Sequence, residues 1–163
     1  MTAFPYQLRK LRPGDAEWGT ARAHLVAYRD ELGVDLSLQG FAEELADLAA
    51  AYRPPGGLWL AKQGGEMVGS VALRALEGGR GELKRLFVVP AARGQGLARA
   101  LVESALRSAR EAGMRAVRLD TLSGMRQAQA LYRALGFLPI PPYGPQLLPG
   151  AQCFELKLAE GAV

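Results

Sequence analysis

Residues 82–99 read ELKRLFVVPAARGQGLAR, and the division of that stretch decides the fold. GELKRLFVV (81–89) has the aromatic and β-branched content of a strand, and Pro90 ends it because proline cannot donate to a sheet ladder. From Leu97 onward, Leu101, Val102, Ala105, Leu106 and Ala109 share one face of a helix that stops near Gly113. The stretch is therefore a strand, a loop carrying Gly94 and Gly96, and a helix. A helix N-terminus exposes unpaired backbone N–H groups and carries a partial positive charge, and glycine lets an anion approach that backbone closely. Arg93 adds a full charge. These are the physical requirements for holding a pyrophosphate.

Upstream, LWLAK and EMVGSVALRAL flank Gly64-Gly65, a pair suited to the positive φ of a two-residue hairpin turn. A second turn at Glu77-Gly78-Gly79-Arg80 leads into the strand that opens this reading. Nearer the start, YQLRKLRP alternates as a strand, and Pro13-Gly14-Asp15 supplies a turn with Asp15 as an N-cap candidate. A helix follows from Ala16 to about Glu31, stopped by Gly33; Phe41, Leu45, Leu48 and Tyr52 mark a second, ended by Pro54-Pro55-Gly56-Gly57. Downstream come a strand RAVRLD, a helix through Met125, Ala128, Leu131, Tyr132 and Leu135 ending at Gly136, the segment FLPI, a Pro/Gly-rich loop over 141–150, and a last strand QCFELKL. Hairpins followed by a βαβ unit predict one α/β (α+β) domain over residues 1–163, with a mixed, largely antiparallel sheet of about seven strands and helices on both faces.

Composition excludes several function classes. The 163 residues are 49% hydrophobic and 22% charged, within the range of a globular chain. One cysteine, Cys153, and one histidine, His24, leave no intramolecular disulfide and no Cys/His zinc site, so no metal is expected. The N-terminal stretch MTAFPYQLRKLRPGD has no apolar run fitting a signal peptide, and no apolar stretch is long enough to span a bilayer. A cytoplasmic protein with no membrane partner is the expectation. The net charge of +4 is uneven: residues 1–81 hold 9 basic and 10 acidic side chains, residues 82–163 hold 11 and 6. The arginines are singly spaced rather than in a run, which suits a phosphorylated small molecule and disfavours nucleic acid.

The glycine loop has competing readings. It is a tight strand-to-helix turn and nothing more, or a nucleotide loop. A dinucleotide-binding GxGxxG fails at its third position, where long, charged Arg99 stands in place of Gly or Ala, and a Walker A loop lacks its Gly-Lys-Ser/Thr. RGQGLA instead resembles the [QR]xxGx[GA] signature of the GNAT superfamily of acyl-CoA-dependent N-acyltransferases, through Arg93, Gly96 and Ala98. ELKRLFVVP before it and ALYRALGF after it resemble that family's neighbouring motifs, so the likeness spans residues 82–137.

The resemblance implies acetyl-CoA as co-substrate and no metal. It implies a bulge in the central strand, which parts from its parallel neighbour so that pantetheine enters beside Leu86, Phe87, Val88 and Val89, with the N–H near Val88 meeting the thioester oxygen. Arg93, Gly94, Gln95, Gly96, Leu97 and Ala98 would hold the pyrophosphate, with Arg99 nearby. Many members carry Asn where this chain has Met125; Thr121 or Ser123 are candidates to replace that cofactor contact. Glu82 stands 11 residues before Arg93, the separation found for the general-base glutamate of the superfamily's histone acetyltransferases, and a water relay is its alternative. Tyr132 matches the tyrosine placed beside the CoA sulfur as general acid; otherwise it is a core aromatic.

By the same likeness the acceptor, a primary amine, lies across the sheet from CoA, near Tyr28, Glu31, Gln39 and Phe41, with Tyr143 of the Pro-rich loop. IPPY followed by PGA and a strand resembles a pattern of uncharacterised small-molecule members, and Glu31 with Glu82 would favour a cationic amine. His24 reads as a surface or boundary residue, Cys153 as core, and Glu43-Glu44 as a solvated helix face. Dimers are common among such proteins, and open edge strands are compatible with a homodimer. A non-catalytic, CoA-binding regulatory module is the other reading.

Overall fold

The computed structural model describes residues 6–144 and 147–158; residues 145 and 146 of the Pro/Gly-rich loop predicted over 141–150 lie outside it. Strands β1 (Gln7–Lys10), β2 (Gly57–Gln63), β3 (Glu66–Leu76), β4 (Arg80–Val88), β5 (Ala116–Leu122), β6 (Leu138–Ile140) and β7 (Ala151–Lys157) form one sheet in the order β1-β2-β3-β4-β5-β7-β6. Every pairing is antiparallel except β4 with β5, so the sheet is mixed as predicted. Helices α1 (Trp18–Leu32), α2 (Phe41–Ala46), α3 (Leu48–Ala51), α4 (Leu97–Glu111) and α5 (Arg126–Ala134) cover its faces.

Alternation along the strands sorts the core into two layers. In β2, Trp59 and Ala61 join the cluster under α4 and α5, while Leu58 and Leu60 join the one under α1, α2 and α3. The six apolar residues that defined α4 in the sequence are all buried. Gly64 and Gly65 turn the β2–β3 hairpin at φ 58 and 84, as their sequence required.

Two local readings change. Asp15 does not cap α1: its carboxylate accepts from the Arg12 N–H at 2.7 Å, closing the preceding turn. The single helix expected over Phe41–Tyr52 is divided at Asp47, whose side chain accepts from the Ala50 N–H at 3.1 Å and so starts a second helix. Phe41, Leu45, Leu48 and Tyr52 are all buried nonetheless, because both short helices press the same side onto the sheet. No helix among the described residues is long and apolar enough to cross a membrane.

Candidate active site

The site begins with an extra residue in β4. Ala72 of β3 faces Lys84, but Ser70, two residues before it, faces Phe87, so β4 bulges by one residue. Arg85 takes the strain at φ 59, the only non-glycine described with a positive φ. What holds it there is a buried fork: its Nε and Nη2 donate to the two Glu44 oxygens at 3.0 and 2.9 Å, its Nη1 donates to Gln39 Oε1 at 2.8 Å, and the guanidinium lies over the Phe41 ring at 5.0 Å. Glu43 is exposed as expected, but Glu44 is not a solvated residue; it neutralises the bulge. Glu44→Ala strands a buried guanidinium and is expected to destabilise the fold by about 3–5 kcal/mol. In a thermal melt that is a fall of roughly 6–20 °C; an unchanged melt would show that something else holds the bulge.

Beyond the bulge the sheet opens. Parallel pairing of β4 with β5 stops at Glu82↔Arg118, whereas β5 continues to pair with β7 as far as Leu122↔Ala151. Two cavities meet at this split, of about 620 and about 50 Å³, and share Tyr28, Leu32, Leu86 and Met125.

The larger cavity is lined by nine of the residues that the sequence reading assigned to a cofactor. Leu86, Phe87, Val88, Arg93, Gly94, Gly96, Leu97, Ala98 and Arg99 line it. Gly94 and Gly96 have φ 80 and 78, and a Cβ at either would meet nothing within 4 Å, leaving an open cradle ahead of α4. The Val89 N–H donates to Val68 O of β3 at 2.9 Å. Successive N–H groups of a strand alternate in direction, so the Val88 N–H faces the split, where β5 does not pair. Val89, Gln95, Thr121 and Ser123 lie outside this lining. Val89 is engaged with β3, Gln95 and Ser123 are exposed, and Thr121 lines the smaller cavity, its hydroxyl on Met125 Sδ at 3.7 Å. The sequence reading missed the start of α5: Gly124, Arg126 and Gln127 also line the larger cavity, a second glycine-then-helix junction with an arginine.

Arg93 is folded back. Its Nε donates to Val88 O at 2.8 Å and its Nη2 to both Glu31 oxygens at 2.8 and 2.9 Å. Glu31 thus belongs to the larger cavity and not to the acceptor side where it was expected. A carboxylate there competes with any phosphate for Arg93. Glu31→Gln is expected to tighten acetyl-CoA binding by roughly two- to fivefold, the scale of an exposed ion pair; weaker binding by titration calorimetry would contradict this competition.

The smaller cavity is lined on one side by Lys84, Arg85 and Leu86 of β4, on the other by Asp120, Thr121 and Leu122 of β5, and closed by Tyr28, Gln39, Tyr132 and several leucines. Burial raises the Tyr132 phenol well above its ordinary value, so it stays protonated. Burial also raises the Asp120 carboxyl; the Lys84 charge opposes that shift and Glu82 reinforces it. Glu82 lines neither cavity. It is 4% exposed, with Oε1 held by Arg74 at 2.6 Å and by Lys84 at 3.6 Å, and Oε2 accepting from the Tyr143 hydroxyl at 2.9 Å. Tyr143 therefore reaches the site as a clamp on Glu82, and Phe41 lies in the core beneath Arg85. Because Arg93 and Arg74 neutralise Glu31 and Glu82, these two carboxylates form no acidic funnel for a cationic amine. His24 is buried, its ring 5.0 Å from that of Phe87.

Comparison with known proteins agrees with this architecture. The acetyltransferase (GNAT) family model matches residues 20–137. An N-acetyltransferase of Schizosaccharomyces pombe, C1271.07c, is 33% identical over 136 residues, covering 82% of this chain and 83% of that protein. The IAA acetyltransferase of Azospirillum brasilense is 42% identical over 113 residues, covering 66% and 72%. Among solved structures, a GNAT-family acetyltransferase from Staphylococcus aureus superposes with a TM-score of 0.79 at 19% identity, covering 94% of this chain and 99% of that one. Salmonella typhimurium yncA, solved with its cofactor acetyl-CoA, gives 0.70 at 20% identity, covering 98% and 97%. With the bulge, the split strands and the glycine cradle in one place, and most of the chain matched by the family model, the chain belongs to the GNAT acetyltransferase family, acyltransferases that draw their acetyl group from acetyl-CoA.

Proposed function

We propose that residues 1–163 act as one domain that transfers the acetyl group of acetyl-CoA to a primary amine of a small molecule by direct attack. The observation that carries this reading is the meeting of the two cavities at the β4–β5 split, with a carboxylate, Asp120, and a phenol, Tyr132, lining the smaller one. Acetyl-CoA supplies the activated acyl carbon from the larger side. The N–H groups at the start of α4, with Arg93, Arg99 and Arg126, hold its phosphates, and the edge of β4 from Leu86 to Val88 holds its arm.

An amine of ordinary pKa about 10.4 is less than ~0.1% neutral at pH 7, so a base must take its proton. Asp120 is our candidate. Glu82, singled out by its spacing, has both oxygens engaged and serves in this reading to hold Lys84 and Tyr143. Attack forms the C–N bond and the C–S bond breaks, its electrons leaving with sulfur; sulfur takes the Tyr132 proton, and the proton that nitrogen sheds on becoming an amide restores the Tyr132 phenol. The Val88 N–H stabilises charge on the thioester oxygen.

The test is titration calorimetry with acetyl-CoA followed by free-thiol release over a panel of primary amines. Saturable binding with thiol release matched by N-acetyl product is the expected result. Binding without release for any amine would favour a CoA-binding module, and absence of binding would refute the cofactor site.

A further inference from the structure

Three charged side chains line the smaller cavity: Lys84, Arg85 and Asp120. Arg85 is occupied by Glu44 and Gln39, so it has a structural task already. Lys84 is only partly engaged. Its side chain is 8% exposed, and its ion partner, Glu82 Oε1, stands 3.6 Å away and is already held by Arg74 at 2.6 Å. Asp120 accepts from Gln39 Nε2 at 3.3 Å through Oδ2, leaving acceptor capacity on its carboxylate.

Register brings these two groups together. The last parallel pair is Glu82↔Arg118, and two residues further along each strand stand Lys84 and Asp120. Side chains two apart share a face of a sheet, so an ammonium and a carboxylate stand opposite each other where the strands have parted. The space between them is small. A volume of about 50 Å³ admits on the order of four water-sized groups. Its remaining walls include Leu36, Leu83, Leu122 and Leu148, which offer no side-chain partner to a second charge.

We infer that the acceptor is a small amino acid bound as a zwitterion, its carboxylate on the Lys84 ammonium and its amino group on Asp120, next to the Tyr132 hydroxyl. A plain amine would leave Lys84 only the Glu82 oxygen it shares with Arg74, 3.6 Å away, and a polyamine would bring a second cation against Arg85. This rests on the proposed transfer to a primary amine and adds the acceptor's class. Asp120 then receives the ammonium proton, and the freed nitrogen faces the split.

The test uses the full chain saturated with CoA, which permits binding without turnover, and titrates it with L-alanine, L-alaninamide and ethylamine. L-alanine is expected to bind at least about tenfold more tightly than either, the scale of one hydrogen-bonded charge. Lys84→Met should abolish that preference, and Lys84→Arg should retain part of it; melts of both variants, and their acetyl-CoA affinity, separate this from misfolding. Equal affinity for alanine and its amide, or no binding of alanine, overturns the inference. Thiol release tests the transfer separately. Release with ethylamine as readily as with alanine would leave the transferase and remove the zwitterion, whereas alanine binding without release would leave the recognition and remove the transferase.

Discussion

Asp120→Asn is expected to lower kcat/KM by about two to four orders of magnitude, the usual contribution of a positioned base, while acetyl-CoA affinity stays as it was. A general base must come within hydrogen-bond reach of the proton it takes, directly or through one water. Asp120 lines the smaller cavity, whereas Glu82 sits at the closed end of the split, in the last paired register, with Arg74 and Tyr143 on its oxygens. Glu82→Gln is therefore expected to cost less than about tenfold in kcat. The pH profile distinguishes them further. Desolvation raises the Asp120 carboxyl, Lys84 lowers it, Glu82 raises it and Arg85 lowers it. The acid limb of kcat/KM is then displaced upward from that of an ordinary aspartate: below it Asp120 is protonated and the rate falls, above it the base is free. Asp120→Asn should erase that limb. Glu82→Gln removes a negative neighbour and should move it to lower pH. A crippled Glu82→Gln beside a nearly unaffected Asp120→Asn would return the base to Glu82.

The glycine cradle ahead of α4 was legible in the sequence because its signals are local. Gly94, Gly96 and Arg93 lie within four residues of one another, and the apolar face of α4 follows directly, so one short stretch contains the whole cradle. The smaller cavity depends on contacts between distant segments. Glu44 reads as a solvated helix residue until β4 bulges and turns Arg85 onto it, and a positive φ at an arginine leaves no trace in composition. Asp120 ends a recognisable strand, but its facing of Lys84 follows from the parallel register, which a hydrophobic pattern does not determine. The spacing between Glu82 and Arg93 located a carboxylate on β4, beside the strand that carries Asp120; what it did not contain was the pair of partners that occupies that carboxylate. Helix division at Asp47 escaped for the opposite reason: the apolar period runs unbroken across it, because α2 and α3 press the same face onto the sheet.

Tyr132→Phe is expected to reduce kcat by about 100-fold or more with acetyl-CoA affinity and melting temperature unchanged. The ring accounts for the packing: Tyr132 is 6% exposed and tilts against Phe137 at 5.7 Å, contacts that phenylalanine keeps. The hydroxyl is what the substitution removes. Burial raises its pKa, so it remains a proton donor across neutral pH, and Tyr28 and Asp120 push the same way once charged. A departing thiolate, with an ordinary thiol pKa near 8.5, takes a hydrogen bond and then a proton from that group; without it, sulfur must be protonated by water. The loss should therefore fall on kcat and leave the KM for acetyl-CoA nearly unchanged, since Tyr132 lines the smaller cavity and not the larger one, where we propose the phosphates sit. If Tyr132 were only a core aromatic, Phe would be silent in both parameters. A rise in KM for acetyl-CoA with kcat preserved would mean instead that the hydroxyl binds the cofactor's arm, and the acid would have to be sought among the other groups of the smaller cavity.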